Sequence, residues 1–244
     1  MSITSRQQQI LDLLNERSYI TVRELSELTF TSASSIRRDL AFLQDNGLLQ
    51  RTHGGASALE PLRNVASFHD RMKRNVKEKR IIAQKASRFL KDGQTILLDS
   101  SSTVQFLLPY IAKHQGITVF TNNLSTAIRS IELGINTHCL GGHSFDGGLV
   151  LSGTETYRTL SEITVDILFF SSQSISEEGV ISDSTEEENF ARKLMLKSSK
   201  YKVFLCDNSK FHSSSTYKLC STGEVDCLVS DREETDLSFQ CTLI

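Results

Sequence analysis

The sequence predicts two domains of different class, a small N-terminal helical one followed by a larger α/β one built on a mostly parallel sheet. Two observations carry this. In the first 57 residues the apolar side chains recur at helical spacing, in three short stripes separated by capping and turn residues. From Val76 onward, continuous apolar runs of strand length alternate with helical stretches, the pattern of a sheet covered on both faces.

Each element of the first domain can be justified in turn. Ile10, Leu11, Leu13 and Leu14 give a first helix its apolar face, from about Ser5 to Arg17. Thr21 is the expected N-cap of a second helix, with Glu24 three residues on to close a capping box and Val22, Leu25 and Leu28 as its buried side. The turn Thr29-Phe30-Thr31 leads to Ser32, the N-cap of a third helix whose buried stripe is Ile36, Leu40 and Leu43, with Phe42 beside it. Asn46-Gly47 stops that helix. A short apolar strand, Leu48-Leu49, is expected next, then Arg51, His53 and a Gly54-Gly55 turn. Small hydroxyl residues and arginines at a helix start, ahead of a basic hairpin, form the pattern of a winged helix-turn-helix. Its last helix enters the major groove and its hairpin grips phosphate. The expected DNA contacts are Ser32, Ala33, Ser34, Ser35, Arg37 and Arg38 on the helix, with Arg51 and His53 on the wing. The plain alternative is a three-helix module with a solvated arginine pair.

Residues 58–75 are expected to connect the domains. The stretch holds Pro61 and few periodic apolar residues, and it begins the basic run Arg71, Lys73, Arg74, Lys77, Lys79, Arg80. Such a run forms a solvated face or contacts flanking phosphates. Beyond it, Ile81, Ile82, Ala86 and Phe89 mark a helix ending near Asp92-Gly93. Strands are expected at Thr95–Asp99, Ile117–Asn123, Thr137–Gly142, Asp166–Ser171, Lys202–Asp207 and Asp226–Asp231. Helices follow the first (Val104, Phe106, Leu107, Leu108) and the second (through Ile128 and Ile131), and another runs from about Glu186 to Lys197. The expected division is 1–57, 58–75 and 76–244, with a Rossmann-like mostly parallel sheet in the last.

Composition narrows the class. No apolar run is long enough to cross a membrane, and MSITSRQQQI lacks the apolar centre of a secretory signal, so a cytoplasmic location is expected. Cys139, Cys206, Cys220, Cys227 and Cys241 show neither close pairing nor metal-ligand spacing, which predicts reduced cysteines, no metal and no cofactor. The net charge of −2 is unusual for a protein that coats polyanions, but it is unevenly spread. Residues 1–80 carry 13 Lys and Arg against 9 Asp and Glu, and residues 81–244 carry 14 against 20. A basic small domain on an acidic larger one fits a regulator, and the modest charge implies more than one reading head, in a dimer or tetramer.

Ligands of open parallel sheets bind beyond the carboxyl ends of the strands. Polar clusters stand there: Asp99, Ser100, Ser101, Ser102 and Thr103; Thr121-Asn122-Asn123; Gly141-Gly142; and Asp207 to Lys210. The serine loop opens a helix whose first amides are suited to an anion, and Lys210 offers a point charge to phosphate. Singly, each has a structural alternative. Ser100–Thr103 and Asn122-Asn123 suit helix caps, and Asp207-Asn208-Ser209 an Asx-type turn. Four on one edge point to a small-molecule pocket.

Over nearly its full length the chain resembles the DeoR family of bacterial transcriptional regulators. The most specific match is SIRRDLAFLQDNGLLQRTHGGA (Ser35–Ala56), supported by FHDRMKRNVKEKRIIAQKA (Phe68–Ala86), LLDSSST (Leu97–Thr103), TNNL (Thr121–Leu124), LGG (Leu140–Gly142) and CDNSKF (Cys206–Phe211). The resemblance implies operator DNA as partner and a C-terminal domain similar to ribose-5-phosphate isomerase and CoA-transferase folds. It further implies a phosphorylated sugar or related metabolite as effector, releasing a repressor, with Asp99, Ser102, Thr103, Asn122, Gly141, Gly142, Asp207 and Lys210 carried over as site residues. The chain departs from the family's pattern in having Ser101, Ser171 and Ser174 where glycines are usual, and no arginine near Phe145. A regulator with a different effector is one alternative. A sugar-phosphate isomerase with a DNA-binding head is another, with Asp99, Asp207, Lys210 and Glu187 or Glu188 as its acid–base groups, although no carboxylate pair at diagnostic spacing supports turnover.

Overall fold

Capping chemistry sets the boundaries in the first part of the chain. The computed structural model describes residues 3–17, 19–52, 54–57, 68–145, 148–232 and 241–244. Contacts divide the chain into two units, Met1–Val65 and Ala66–Ile244.

In the smaller unit, helix α1 (Ser5–Arg17) precedes strand β1 (Tyr19–Thr21) and helix α2 (Val22–Leu28). Thr21 caps α2 through a full capping box: its hydroxyl receives the Glu24 amide (3.2 Å), and the Glu24 carboxylate receives the Thr21 amide (2.9 Å). Helix α3 (Ala33–Asp45) starts at the Ser32 cap, and strands β2 (Gln50–Thr52) and β3 (Gly55–Ser57) form the wing. All three strands pair antiparallel, in the order β1-β3-β2. Gly55 lets β3 approach β1, because a Cβ there would lie 2.4 Å from the Ile20 carbonyl oxygen. Ile10, Leu14, Ile20, Leu25, Ile36, Leu40, Leu43, Leu49 and Ala56 make the core.

Three expectations for this unit change. Leu48-Leu49 is not a strand, because Leu49 is spent on the core and pairing begins only at Gln50 opposite Ser57. Leu28 is exposed rather than buried, since α2 ends there. The strand Tyr19–Thr21, unforeseen, carries Ile20 into the core from an aromatic and β-branched run.

The larger unit begins with α4 (Phe68–Lys73), a helix inside the stretch expected to be a connector, anchored by the buried Phe68. There follow α5 (Val76–Ala86), β4 (Thr95–Leu98), α6 (Ser102–Gln105), α7 (Leu108–Ile111), β5 (Thr118–Thr121), α8 (Leu124–Glu132) and β6 (Asn136–Cys139). The hairpin β7 (His143–Phe145) and β8 (Val150–Ser152) leads to α9 (Thr154–Glu162) and β9 (Val165–Phe170). Next come β10 (Ser174–Ile175), β11 (Val180–Asp183), α10 (Glu186–Lys197), β12 (Ser199–Cys206), β13 (Tyr217–Ser221), β14 (Cys227–Ser230) and β15 (Thr242–Leu243). Where one helix was expected through Val104–Leu108, two single turns form. Pro109 has no N–H to offer the carbonyl four residues back, so the helix is interrupted.

The main sheet runs β15-β14-β12-β9-β4-β5-β6, every pairing parallel. Alternate side chains feed two cores: Ile96, Leu98, Ile167, Phe169, Val203 and Leu205 on one face, Leu97, Leu168, Phe170 and Phe204 on the other. The small antiparallel sheet β10-β11-β13 was not foreseen. From β4 the chain proceeds to one side of the sheet, through β5 and β6, and then crosses to β9 on the other. The β4/β9 boundary is thus the topological switch point, with its crevice at the carboxyl ends of those strands.

Candidate functional site

Most of the residues expected to contact DNA lie on α3 of the smaller unit or at its cap. Ser32 caps it, receiving the Ser35 amide at 3.4 Å, and its hydroxyl sits 3.1 Å from those of Ser34 and Ser35. Ser32, Ser34, Arg37 and Arg38 are exposed, while Ala33 and Ser35 are half-buried. Arg38 reaches back to the Ser35 hydroxyl at 3.4 Å. The next residue, Asp39, is buried, and its carboxylate takes Arg6 Nε (2.6 Å), Arg6 Nη2 (3.2 Å) and Gln7 Nε2 (3.3 Å) from α1. Asp39 therefore fixes α3 on α1 and presents the two arginines beside it to solvent. Its signal was present: an acidic residue on the same stripe as Ile36, Leu40 and Leu43 requires a partner. Arg51 is exposed on the wing, and its amide donates to Gln44 Oε1 (3.2 Å), tying β2 to the end of α3. His53 lies outside the described residues.

In the larger unit, the ends of β4, β5 and β12 carry the expected polar residues, and the end of β9 adds Ser171. Asp99, fully buried after β4, has both oxygens engaged. Oδ1 receives the Ser101 amide (3.0 Å) and hydroxyl (2.6 Å), and Oδ2 receives the Ser171 amide (3.3 Å) and Arg192 Nε (2.8 Å). The serine loop and the end of β9 are thus organised around Asp99, which orients the site rather than facing an open space. Arg192, on α10 and 4% exposed, is the residue the sequence reading missed. It also donates to Asp183 (2.8 Å), Glu188 (3.3 Å) and the Ser100 hydroxyl (3.3 Å). Burial works against its charge, but the carboxylates of Asp183, Glu188 and Asp99 outweigh it and raise its pKa above the usual arginine value. The i,i+4 spacing of Glu188 and Arg192 was visible; the two distant aspartates were not.

Two lysines donate to hydroxyls of the same strand-end loops. Lys210 Nζ lies 3.9 Å from Asp207 and donates to the Ser171 hydroxyl (2.6 Å), which in turn donates to the Leu205 carbonyl (2.5 Å). Asp207 accepts the Ser209 amide (3.1 Å), forming the expected Asx turn Asp207–Ser209 at the start of a 3-10 turn over Asn208–Lys210, and the Asn75 side-chain amide (3.0 Å). The Ser102 hydroxyl receives Lys79 Nζ at 3.0 Å. Lys79 is 4% exposed, so it does not belong to the solvated basic face expected for that run. Ser100, Ser101, Ser102 and Thr103 are all buried. Helix α6 behind them is a single turn, too short to supply the dipole expected of the serine loop.

The remaining candidates divide. Asn122 donates to the Leu151 carbonyl (3.0 Å), while its Oδ1 is buried without a partner among the described residues, as are the hydroxyls of Ser184 and Thr185 after β11. Gly142 is a close-approach glycine, with φ +110°, where a Cβ would lie 2.5 Å from the Ser152 carbonyl oxygen and from Thr156 Oγ1. The Gly141 carbonyl receives the Thr156 hydroxyl at 2.6 Å. Both glycines pack the strand end on α9. A separate open groove of about 870 Å³, lined by Met72, Ile81, Phe106, Tyr110 and Ile128 among others, contains none of the candidate site residues. Cys206, Cys220 and Cys227 are buried free thiols, and burial pushes Cys227 up to about 11 and Cys220 up to about 12, so they are poor nucleophiles. Among the described residues no three His, Cys, Asp or Glu side chains are grouped to hold a metal.

The comparisons with known proteins agree with this two-part construction. A model of the DeoR-like helix-turn-helix domain matches residues 6–61, and one of the DeoR C terminal sensor domain matches 74–232. The chain belongs to the DeoR family of DNA-binding transcriptional regulators. It is 32% identical to the HTH-type transcriptional regulator GolR of Listeria innocua, over 93% of this chain and 90% of that protein. It is 33% identical to the HTH-type transcriptional repressor GlcR of Bacillus subtilis, over 91% and 86%. It is 30% identical to the lactose phosphotransferase system repressor of Staphylococcus epidermidis, over 97% and 95%. Among solved structures, the tetrameric eIF2B-beta2-delta2 complex from C. thermophilum aligns at TM-score 0.50 and 13% identity, over 66% of this chain and 57% of that one, a likeness of fold. Ribose 5-phosphate isomerase A of Methanocaldococcus jannaschii aligns at 0.43 and 17% identity, over 56% and 55%. The family is one of regulators, so the isomerase alternative is set aside.

Proposed function

We propose that this chain represses an operon of carbohydrate metabolism and leaves its operator when a phosphorylated sugar occupies the switch-point crevice of the larger unit. The observation that carries the reading is the set of charged and hydroxyl groups gathered at those strand ends. Lys210 donates to the Ser171 hydroxyl, while Arg192 gathers Asp183 and Glu188, with buried, unpaired oxygens of Ser184 and Thr185 nearby in sequence. An ammonium and hydroxyl donors suit a phosphate, while carboxylates and unpaired oxygens suit the hydroxyls of a polyol. Relatives named as a lactose phosphotransferase system repressor and a glycerol-3-phosphate regulon repressor support the sugar class.

On this reading Ser32–Ser35, Arg37 and Arg38 meet the major groove and Arg51 the phosphates, with the stretch between Ser57 and Phe68 joining the reading head to the sensor in sequence. The protein works as a homo-oligomer in the bacterial cytoplasm, where operator DNA is found. The exposed Ile81, Ile128 and Ile131, apolar surface that a second copy would cover, support the oligomer. The test is a thermal-shift panel of phosphorylated and unphosphorylated sugars, followed by titration of each hit against protein bound to the operator of its own operon. A stabilising phosphosugar that dissociates the complex supports the reading. Stabilisation by unphosphorylated sugars alone would overturn the phosphate part of it.

A further inference from the structure

Phe30, in the turn between α2 and α3, carries two costs that the smaller unit does not offset. Its ring is 96% exposed, more than any other large apolar side chain among the described residues. Its backbone is held at φ +50°, in the left-handed region that side chains other than asparagine and aspartate avoid. The turn fixes that backbone from both sides. The Thr29 amide and hydroxyl both donate to the Leu25 carbonyl (3.0 and 2.6 Å), and the Thr31 amide donates to the Ser26 carbonyl (3.1 Å). The Ser26 hydroxyl donates to the Thr31 carbonyl, and the Thr31 hydroxyl to the Thr29 carbonyl (3.0 Å). These bonds set the direction in which the Phe30 side chain leaves the turn. A single exposed phenylalanine is ordinary, but one kept strained by a fully bonded turn points to a use outside the fold. Its place in the chain says which use. Ser32 caps α3 two residues later, and Ser34, Arg37 and Arg38 are exposed along that helix. In a helix-turn-helix the first residues of the second helix reach base edges, so the turn ahead of them lies at the edge of the groove.

We propose that Phe30 is a DNA-contacting residue whose ring packs on the apolar edge of the operator beside the start of α3, against a thymine methyl or a deoxyribose. This rests on α3 as the reading helix. A duplex offers apolar surface in those two places: the thymine methyl, which phenylalanine rings contact in the major groove, and the sugars along the groove wall. Phe30 carries no charge, so its contribution comes from water leaving the ring rather than from released counterions. The strained backbone then has a role. A ring whose direction is already set loses less freedom on binding than one on a flexible turn. Contact with a methyl would make Phe30 a reader of sequence, and contact with a sugar would make it a fixer of register.

The test is competition binding of the full chain to an operator that it selects from a random duplex pool, with Phe30→Gly, Phe30→Asn and Phe30→Tyr beside wild type. Glycine and asparagine both accept the left-handed backbone, and asparagine does so without glycine's added flexibility. Both should weaken operator binding about tenfold while increasing resistance to urea, and Phe30→Tyr should bind within about twofold of wild type. A merely structural role would move stability and affinity in the same direction. The salt slope should stay as in wild type, because no charge is lost. Replacing operator thymines singly by uracil removes one methyl at a time. If the ring meets a methyl, wild type loses about fourfold at one position and Phe30→Gly loses nothing there. The tenfold loss with identical uracil profiles assigns the ring to a sugar. Wild-type affinity in Phe30→Gly and Phe30→Asn, with Arg37→Ala or Arg38→Ala still weakened, would overturn this role for Phe30 and leave α3 as the reading helix. Wild-type affinity in all four would overturn both.

Discussion

The two halves of this protein handle charge in opposite ways. On the reading head Arg37, Arg38 and Arg51 stand exposed, and the neighbouring acid, Asp39, is buried and consumed by Arg6 and Gln7. In the sensor unit Arg192, Lys79 and Asp99 are all buried, and every one is bonded to another part of the site. Exposed cations cost the fold little and meet a polyanion by releasing its counterions, so DNA binding by the head should weaken as salt rises. Buried charges have been desolvated in advance, so they favour a small ligand that replaces the lost interactions and penalise one that does not.

That contrast is broken most severely at Arg192. Its replacement by Met leaves Asp99, Asp183 and Glu188 buried around an absent cation, and should cost about 3–5 kcal/mol of stability in urea denaturation. An Arg37→Ala or Arg38→Ala change should instead leave stability within about 0.5 kcal/mol. Their effect belongs to DNA: loss of a base-reading arginine should cost about 1–3 kcal/mol of operator affinity and relax one base pair, measured by competition binding. If neither change alters affinity in a folded protein, α3 is not the reading helix. Arg51→Ala should weaken operator and random DNA alike and reduce the salt slope by about one unit. A loss confined to one operator base would move Arg51 from positioning to reading.

Smallest is an effect of backbone shape. Phe30, in the turn before α3, is 96% exposed and held at φ +50°, where a side chain is strained. Phe30→Gly removes that strain at the cost of a more flexible unfolded chain, for a net gain of a few tenths to about 1 kcal/mol. A loss of stability on this change would show that Phe30 makes a contact worth more than its strain.

The head was legible because its signals are local. The Thr21–Glu24 capping box, the Ser32 cap and the Ile36-Leu40-Leu43 stripe all act within a few residues and stand where the sequence placed them. What failed there was positional: Leu48-Leu49 looks like a strand, but nothing nearby in sequence reveals that Leu49 is needed by the core. The sensor's parallel sheet was equally readable from its apolar runs. Its site was readable only in part, since strand ends converge by topology while partners do not announce themselves. Asp99 and Arg192 are 93 residues apart, and Lys79 and Ser102 are 23 apart on different elements. Lys79 in particular was hidden in a run of exposed basic residues, where spacing alone does not show which one turns inward.

The most direct measurement is an operator-release titration of wild type beside Lys210→Ala, using the phosphosugar that gives the largest thermal shift. Lys210 donates to Ser171 near the switch point, so its loss should weaken the ligand about ten- to a hundred-fold while leaving operator affinity intact. The mutant should therefore hold its operator at effector concentrations that release the wild type. Superimposable release curves would contradict the assignment of the crevice as the effector site.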